Sequence, residues 1–283
     1  MSKDKVVGID LGATNVRGAY VAADDLSEIR SKRIRSHGTE QEVLDDVFEL
    51  ADQLVTDEVV AIGIGVPSVV DLEHGVVQDV QYIPSWKEVP LRKLMEDRYQ
   101  VPVYINNDAN CFVLGEYYFG GGKGYSSMIG LTIGTGVGAG VIINNKLYAG
   151  HNCGAGEFGI VDYLDKVYEY YSSGSYFQNV YGLDGEFVFE KAQQGDDDAL
   201  RLYAELGTHL GNNIKLIMYT YDPELIILGG AVRHAYDFFQ RTMWERIRTC
   251  VYTKVADRLL IKVSELENSG ILGAAALYYD AVK

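Results

Sequence analysis

The sequence predicts an α/β protein built from two similar halves with a cleft between them, on three observations. Met128-Ile-Gly-Leu-Thr-Ile-Gly-Thr-Gly-Val-Gly-Ala-Gly-Val-Ile-Ile143 repeats the plan of Val6 to Val21, a strand, a small glycine-bearing turn and a second strand, so that Gly134 falls on Gly12. Each half later carries an apolar strand ending in glycine, Ala61 to Gly65 and Leu225-Ile-Ile-Leu-Gly-Gly230. In the first half Val101 to Glu116 passes from a short apolar strand into a helix across Asn106-Asn107-Asp108. That is the strand end at which open α/β sheets bind ligands.

The elements follow in order. Val6 to Asp10 is a strand, Leu11-Gly-Ala-Thr-Asn15 a turn and Val16 to Val21 its hairpin partner, with a third strand expected over Glu28 to Arg35. Glu40 to Val55 has helical periodicity, with Val43, Leu44, Val47, Leu50, Ala51 and Leu54 on one side. Val59 to Val66 is an apolar strand, Leu91 to Tyr99 a short amphipathic helix, Val103 to Ile105 a buried strand, and Ala109 to Tyr118 a helix. After the second hairpin, helices are expected over Asp197 to Tyr219, Tyr236 to Cys250 and Gly270 to Val282, the last rich in small residues that allow close packing. The division between domains falls near 112–120, giving 1–115 and 116–283, with the C-terminal helix able to pack back on the smaller, first domain.

Composition narrows the function. Hydrophobic residues at 47% and charged residues at 23% describe an ordinary globular chain with no run long enough to cross a bilayer. The opening Met-Ser-Lys-Asp-Lys leads straight into a strand without the apolar region of a signal peptide, so a cytoplasmic protein is expected. Cys111, Cys153 and Cys250, odd in number and far apart, suit reduced buried thiols. A net charge of −15 argues against nucleic acid or an anionic membrane as partner. Any phosphate ligand must therefore be held locally.

Two glycine-tipped hairpins can hold a triphosphate without lysine, because glycine lets backbone N–H groups approach phosphate oxygens closely. Asp10 beside the first tip would orient hydrated Mg²⁺, and Thr14 and Thr135 offer hydroxyls. Gly134-Thr-Gly-Val-Gly-Ala-Gly140 does not have the dinucleotide G-x-G-x-x-G spacing, and Gly120-Gly-Gly-Lys123 lacks that of a Walker loop. Glycines that only turn a hairpin explain either loop alone; the two together, with Gly229-Gly230, favour phosphate. Asp108 has two readings of its own, a helix N-cap with no chemistry or a carboxylate placed at a ligand site.

The ordered set Asp10-Leu-Gly-Ala-Thr14, Gly63-Ile-Gly-Val-Pro67, Asn107-Asp-Ala-Asn110, Leu131-Thr-Ile-Gly-Thr-Gly-Val-Gly138, Ala155-Gly-Glu-Phe-Gly159 and Leu228-Gly-Gly230 resembles the ROK family of sugar kinases, within the actin-like (ribonuclease H-like) ATPase superfamily, over nearly the whole chain. The resemblance implies a two-domain actin-like ATPase fold with a central cleft, and ATP-dependent phosphorylation of a hexose, at O6, by a homodimer. It implies Asp108 as general base, and Asn107, Glu157, Glu169 and Gly65 as sugar contacts, Glu169 lying just before Ser173-Gly174. Asp10, Gly12, Thr14, Asn15, Gly134, Thr135, Gly136, Gly229 and Gly230 would surround ATP and Mg²⁺, the metal being held by Asp10 through water.

One departure bears on the substrate. Family members follow Glu-x-Gly with histidine and then closely spaced cysteines that bind structural zinc; here Ile160 stands in the histidine's place and Val161 to Tyr168 contains no cysteine. No zinc is expected, since four N/S ligands cannot be assembled locally and Cys153 with His151 is a poor substitute. The missing contact favours a sugar with an altered hydroxyl, such as a β-glucoside. Tyr82, Trp86, Tyr163, Tyr168, Tyr170, Tyr171 and Tyr176 cluster around these motifs, as packing residues or as faces for sugar C–H groups, one of them standing in for the histidine. A sugar-responsive repressor of the same family would need a helix-turn-helix ahead of Asp10, for which nine residues leave no room. A catalytically silent sugar sensor is the remaining alternative, opposed by the presence of Asp108 and both glycine tips.

Overall fold

The computed structural model describes residues 4–23 and 25–283. The opening hairpin is β1 (Lys5–Leu11) and β2 (Asn15–Ala22), with Asp10 opposite Arg17. Two short strands, β3 (Asp25–Leu26) and β4 (Arg30–Arg33), both pair with β2, so the strand expected over 28–35 forms only in its middle. Helix α1 (Glu40–Ala51) starts on a capping box between Thr39 and Glu42, which satisfies two of the orphan N–H groups of its first turn. It stops at Ala51 rather than Val55, because Asp52 turns out to meet Arg98 and Tyr99. Leu54 still reaches the core from the following turn, which explains why the apolar period runs on.

β5 (Val59–Val66) lies parallel to β1, and after the small antiparallel sheet of β6 (Val69–Asp71), β7 (Val76–Gln78) and β8 (Glu88–Val89) comes α2 (Leu91–Tyr99). β9 (Val103–Asn107) is parallel to β5 and runs without a loop into α3 (Asp108–Tyr118). The second hairpin is β10 (Met128–Ile133) and β11 (Val137–Ile143), followed by β12 (Lys146–Leu147). Then come a two-strand ribbon, β13 (Asp162–Tyr163) and β14 (Lys166–Val167), and the short helices α4 (Tyr168–Ser172), α5 (Tyr176–Tyr181) and α6 (Gly185–Gln193). The chain continues through α7 (Asp197–Tyr221), β15 (Leu225–Gly229), α8 (Tyr236–Ile247), α9 (Thr253–Arg258), β16 (Leu260–Val263) and α10 (Ser269–Val282).

These elements pack as two compact units, Met1–Gly124 with Gly140–Ala155 and Glu265–Lys283, and Tyr125–Ala139 with Gly156–Ser264. In the first, the sheet order β3-β2-β1-β5-β9 has one face covered by α1, whose Val43, Leu44, Val47 and Leu50 meet Val7, Ile9, Ile62 and Ile64. Against the sheet lies α10, at backbone distance: a Cβ on Gly63 would overlap the Ala274 carbonyl, and one on Gly273 the Cys111 carbonyl of α3. In the second unit β10, β15 and β16 run parallel, and α7 packs against α8. Among the described residues no helix is long and apolar enough to cross a membrane.

Candidate active site

Three parallel strands of the first unit end level with one another. Register sets Asp10 of β1 beside Gly65 of β5, and Gly65 beside Asn106 of β9, so the sequence-predicted residues Asp10, Gly65, Asn107 and Asp108 lie together at the C-terminal ends of the three strands. Asp108 is not the helix cap. Asn107 is, with extended φ −61° and ψ 149°, and Asp108 is already the first helical residue. The Asn107 side-chain oxygen accepts the Ala109 N–H at 2.9 Å while its amide donates to the Ser68 carbonyl at 3.3 Å. Asp108 Oδ1 takes the same Ala109 N–H at 2.8 Å, which fixes the carboxylate at the positive end of α3. Gly65 has no spare room, since a Cβ there would sit 3.0 Å from Cys111 Sγ and 3.9 Å from Asp108 Cα.

Asp10 is half-buried, and its partial removal from water holds its carboxyl above the usual range, against the pull of the Arg17 guanidinium. Gly270, in the first turn of α10, closes over it; a Cβ there would come within 3.0 Å of the carboxyl carbon. The first glycine tip follows directly. The Gly12 N–H donates to the Asn15 carbonyl at 2.9 Å and the Thr14 carbonyl accepts the Ile34 N–H at 2.9 Å, leaving Thr14 and Asn15 exposed.

The second unit assembles its own group. Gly134 donates its N–H to Gly136 at 3.0 Å, Gly174 donates to the Gly134 carbonyl at 2.7 Å, and Ser175 Oγ donates to the Thr135 carbonyl at 2.7 Å. Thr132 stands level with Gly229 across β10 and β15. Gly230 follows at φ 75°, where a side chain would be strained and would also overlap the Ile133 carbonyl, and its own carbonyl takes Arg233 Nη1 at 3.0 Å. Gly134, Thr135 and Gly136 thus share one hydrogen-bonded turn with Gly174 and Ser175, while Gly229 is buried in β15 and Gly230 lies against Ile133. Ser175 and Arg233 were not legible as parts of this group, because both act through backbone carbonyls rather than through a motif.

Glu169 and Glu157 flank the same tip. Glu169 Oε2 accepts the Val137 N–H at 3.1 Å and presses on Gly136, where a Cβ would stand 2.6 Å from it. Glu157 precedes the short helical turn Phe158–Ile160; the preceding Gly156, at φ 100°, lies too close to the Ala139 carbonyl for any side chain. The Glu157 carboxyl is pushed up, first by partial removal from water and then by the charge of Glu169. Asn213 of α7 anchors the turn from below, donating to the Phe158 carbonyl at 3.2 Å.

Where zinc cysteines would fall there is instead the β13–β14 ribbon, packed through tyrosines. Tyr163 stacks on Tyr168 with ring centroids 4.2 Å apart, and His209 of α7 is ringed by Tyr163, Tyr171 and Tyr176, with the Tyr163 hydroxyl 3.2 Å from its Nδ1. Tyr170 spends its hydroxyl on the Asn179 carbonyl at 2.9 Å. Trp86 is fully buried in the core of the first unit, and Tyr82 is exposed. Trp86 and Tyr176 are buried packing residues, and Tyr163, Tyr168, Tyr170 and Tyr171 are half-buried. The hub, His209, carried no signal in the sequence because its partners Tyr163, Tyr171 and Tyr176 lie far upstream, on other elements. Ile160 is 59% exposed.

The sequence model of the ROK family matches residues 6–281. A glucokinase from Thermotoga maritima is 28% identical, covering 100% of this chain and 99% of the relative. A ROK family glucokinase from Streptomyces griseus, solved in complex with glucose and AMPPNP, superposes with a TM-score of 0.78 at 26% identity, over 96% of this chain and 98% of that one. The xylose repressor of Bacillus subtilis is 25% identical, covering 97% of this chain and 77% of its own length.

Proposed function

The chain belongs to the ROK family, and from that premise we infer that it is an ATP-dependent sugar kinase acting on a hexose, at O6, with Asp108 as general base. The observation that carries the reading is the Asn107–Asp108 corner. It places an exposed carboxylate at the start of α3, beside the glycine of β5, where a sugar hydroxyl could approach. Similarity to the two glucokinases supports the reaction class.

In this mechanism the sugar hydroxyl oxygen bonds to the γ-phosphorus of ATP as the γ-phosphorus–bridging-oxygen bond breaks and ADP leaves with that oxygen; Asp108 accepts the hydroxyl proton, and Asn107 orients the sugar. Backbone N–H groups at Gly12 and at Gly134 to Gly136 meet the phosphates, with Thr14, Asn15, Thr135 and Gly229-Gly230 completing the surround. Such sites accelerate mainly by positioning and by stabilising charge on a loose transition state. Among the described residues no group of three or more His, Cys, Asp and Glu side chains could hold a metal by itself. A single half-buried carboxylate at Asp10 nevertheless suits Mg²⁺, which keeps several waters and binds through one or two carboxylates and substrate phosphates. When bound there, the ion neutralises phosphate charge.

Glu157 and Glu169 are assigned to the sugar hydroxyls, and this makes sugar affinity depend on pH. An ordinary glutamate titrates near ~4.3; the raised carboxyl of Glu157 takes its proton at higher pH, so an acceptor is lost as pH falls and sugar affinity drops on the acid side. Glu169→Gln removes the neighbouring charge, lowers the Glu157 pKa and moves that drop to lower pH. Titration of sugar binding by calorimetry between pH 4 and 8 checks it; an unmoved acid limb would refute the assignment of the pair.

ADP release with Mg-ATP across glucose, mannose, fructose, allose, N-acetylated hexosamines and a β-glucoside tests the function, with Asp108→Asn as control. Turnover of one sugar that vanishes in the control supports the kinase and identifies its substrate; preference for the β-glucoside would trace to Ile160. Sugar binding without turnover anywhere on the panel would favour the silent regulator, a reading kept in view by the similarity to a xylose repressor. The same reading takes the active species as a homodimer, checked by light scattering.

A further inference from the structure

We propose that Cys153 is a positioning residue for phosphoryl transfer, its thiol tethering Asn106 and so holding the Asn107–Asp108 corner in place; the catalytic part of this rests on Asp108 being the base. Asn106 Oδ1 accepts three donors, the Asn107 N–H at 2.9 Å, Asn110 Nδ2 at 2.9 Å and Cys153 Sγ at 3.2 Å. A side-chain carbonyl offers two lone pairs, so this oxygen is fully committed. Two of the donors belong to the same strand–helix junction. Only the thiol arrives from elsewhere, 47 residues along the chain.

The cluster is closed to solvent, with Asn106, Asn110 and Cys153 at 6%, 1% and 3% exposure. Cys153 also receives Asn110 Nδ2 at 3.8 Å, so thiol and amides form one small network. Within it Asn110 Oδ1 is buried with no hydrogen-bond partner among the described residues, a cost tolerated while both protons of that amide are directed to Asn106 and Cys153. The backbone of Cys153 is itself strained, at φ 57°, in the left-handed region that favours glycine. Glycine would relax this backbone and lose the thiol. The side chain at this position thus works against local conformational preference and in favour of Asn106, whose oxygen sets the Asn107 amide, the peptide that leads into Asp108.

The test compares Cys153→Ala, Cys153→Ser and Cys153→Gly in the whole protein, reading kcat, KM for ATP, Tm and hydrogen exchange at the Asn107 amide. Alanine keeps the strained backbone and removes the donor: kcat falls roughly three- to tenfold, the value of one modest hydrogen bond, KM for ATP holds, and Asn107 exchange accelerates. Serine restores a donor and recovers most of the loss in both. Glycine relaxes the backbone, so Tm holds or rises while kcat falls as in alanine. The proposal is overturned by wild-type kcat and exchange in Cys153→Ala, by equal impairment in serine and alanine, or by kcat following Tm across the three. Exchange at Asn107 needs no turnover, so it decides the tether even if Asp108→Asn stays active and the base assignment fails.

Discussion

Asp108→Asn binds sugar with near-normal affinity and loses turnover by roughly 10² to 10⁴, the range for removal of a general base. The separation of binding from rate follows from the local geometry. Asp108 Oδ1 accepts the Ala109 N–H at 2.8 Å, and an asparagine presents the same oxygen to the same donor, so the start of α3 is kept. The cap itself is Asn107, which the substitution leaves alone. What changes is the capacity to take a proton. Single-turnover kinetics with calorimetric sugar binding checks both halves, and near-normal turnover would return Asp108 to a purely structural role.

Gly273→Ala destabilises the first unit by about 3 kcal/mol or more, the upper range for overpacking a tight core, lowering Tm by roughly 6 °C or more. The new methyl would overlap the Cys111 carbonyl, backbone against backbone, with no side chain to rotate away. α10 would have to lift from α3, the helix whose first residue is Asp108. Gly154→Ala serves as control, because its Cβ meets nothing within 4 Å. Thermal unfolding of the pair decides: equal Tm values would mean that the helices yield without cost.

The parts of the fold that were legible are those whose signal is local. Val59–Val66 and Leu91–Tyr99 form over the expected residues, because a β-branched apolar run punctuated by Gly63 and Gly65 and a clear amphipathic period each admit one element. The two hairpins were marked by their glycine tips, and the strand–helix corner by three consecutive Asx residues. Which Asx caps was not legible, since Asn107 and Asp108 have the same propensity and only the backbone angles separate them. Asp52 stopped α1 through Arg98, 46 residues away, and Trp86 went to the core rather than to a sugar. The tether from Cys153 to Asn106 was invisible for the same reason: a thiol beside a carbonyl oxygen leaves no periodicity.

The backbone-tight seating of α10 against β5 and α3 also dictates an order of events in the cell. Domains usually fold as they emerge from the ribosome, the earliest segment first. Here the earliest strands must wait, with the glycine seat on β5 uncovered, until residues 265–283 have been made. The stretch 156–264 is synthesised entirely within that interval, so the second unit can mature while the first is still open. The packing of α10 against α3, the helix that begins at Asp108, is therefore completed only after the second unit has been made.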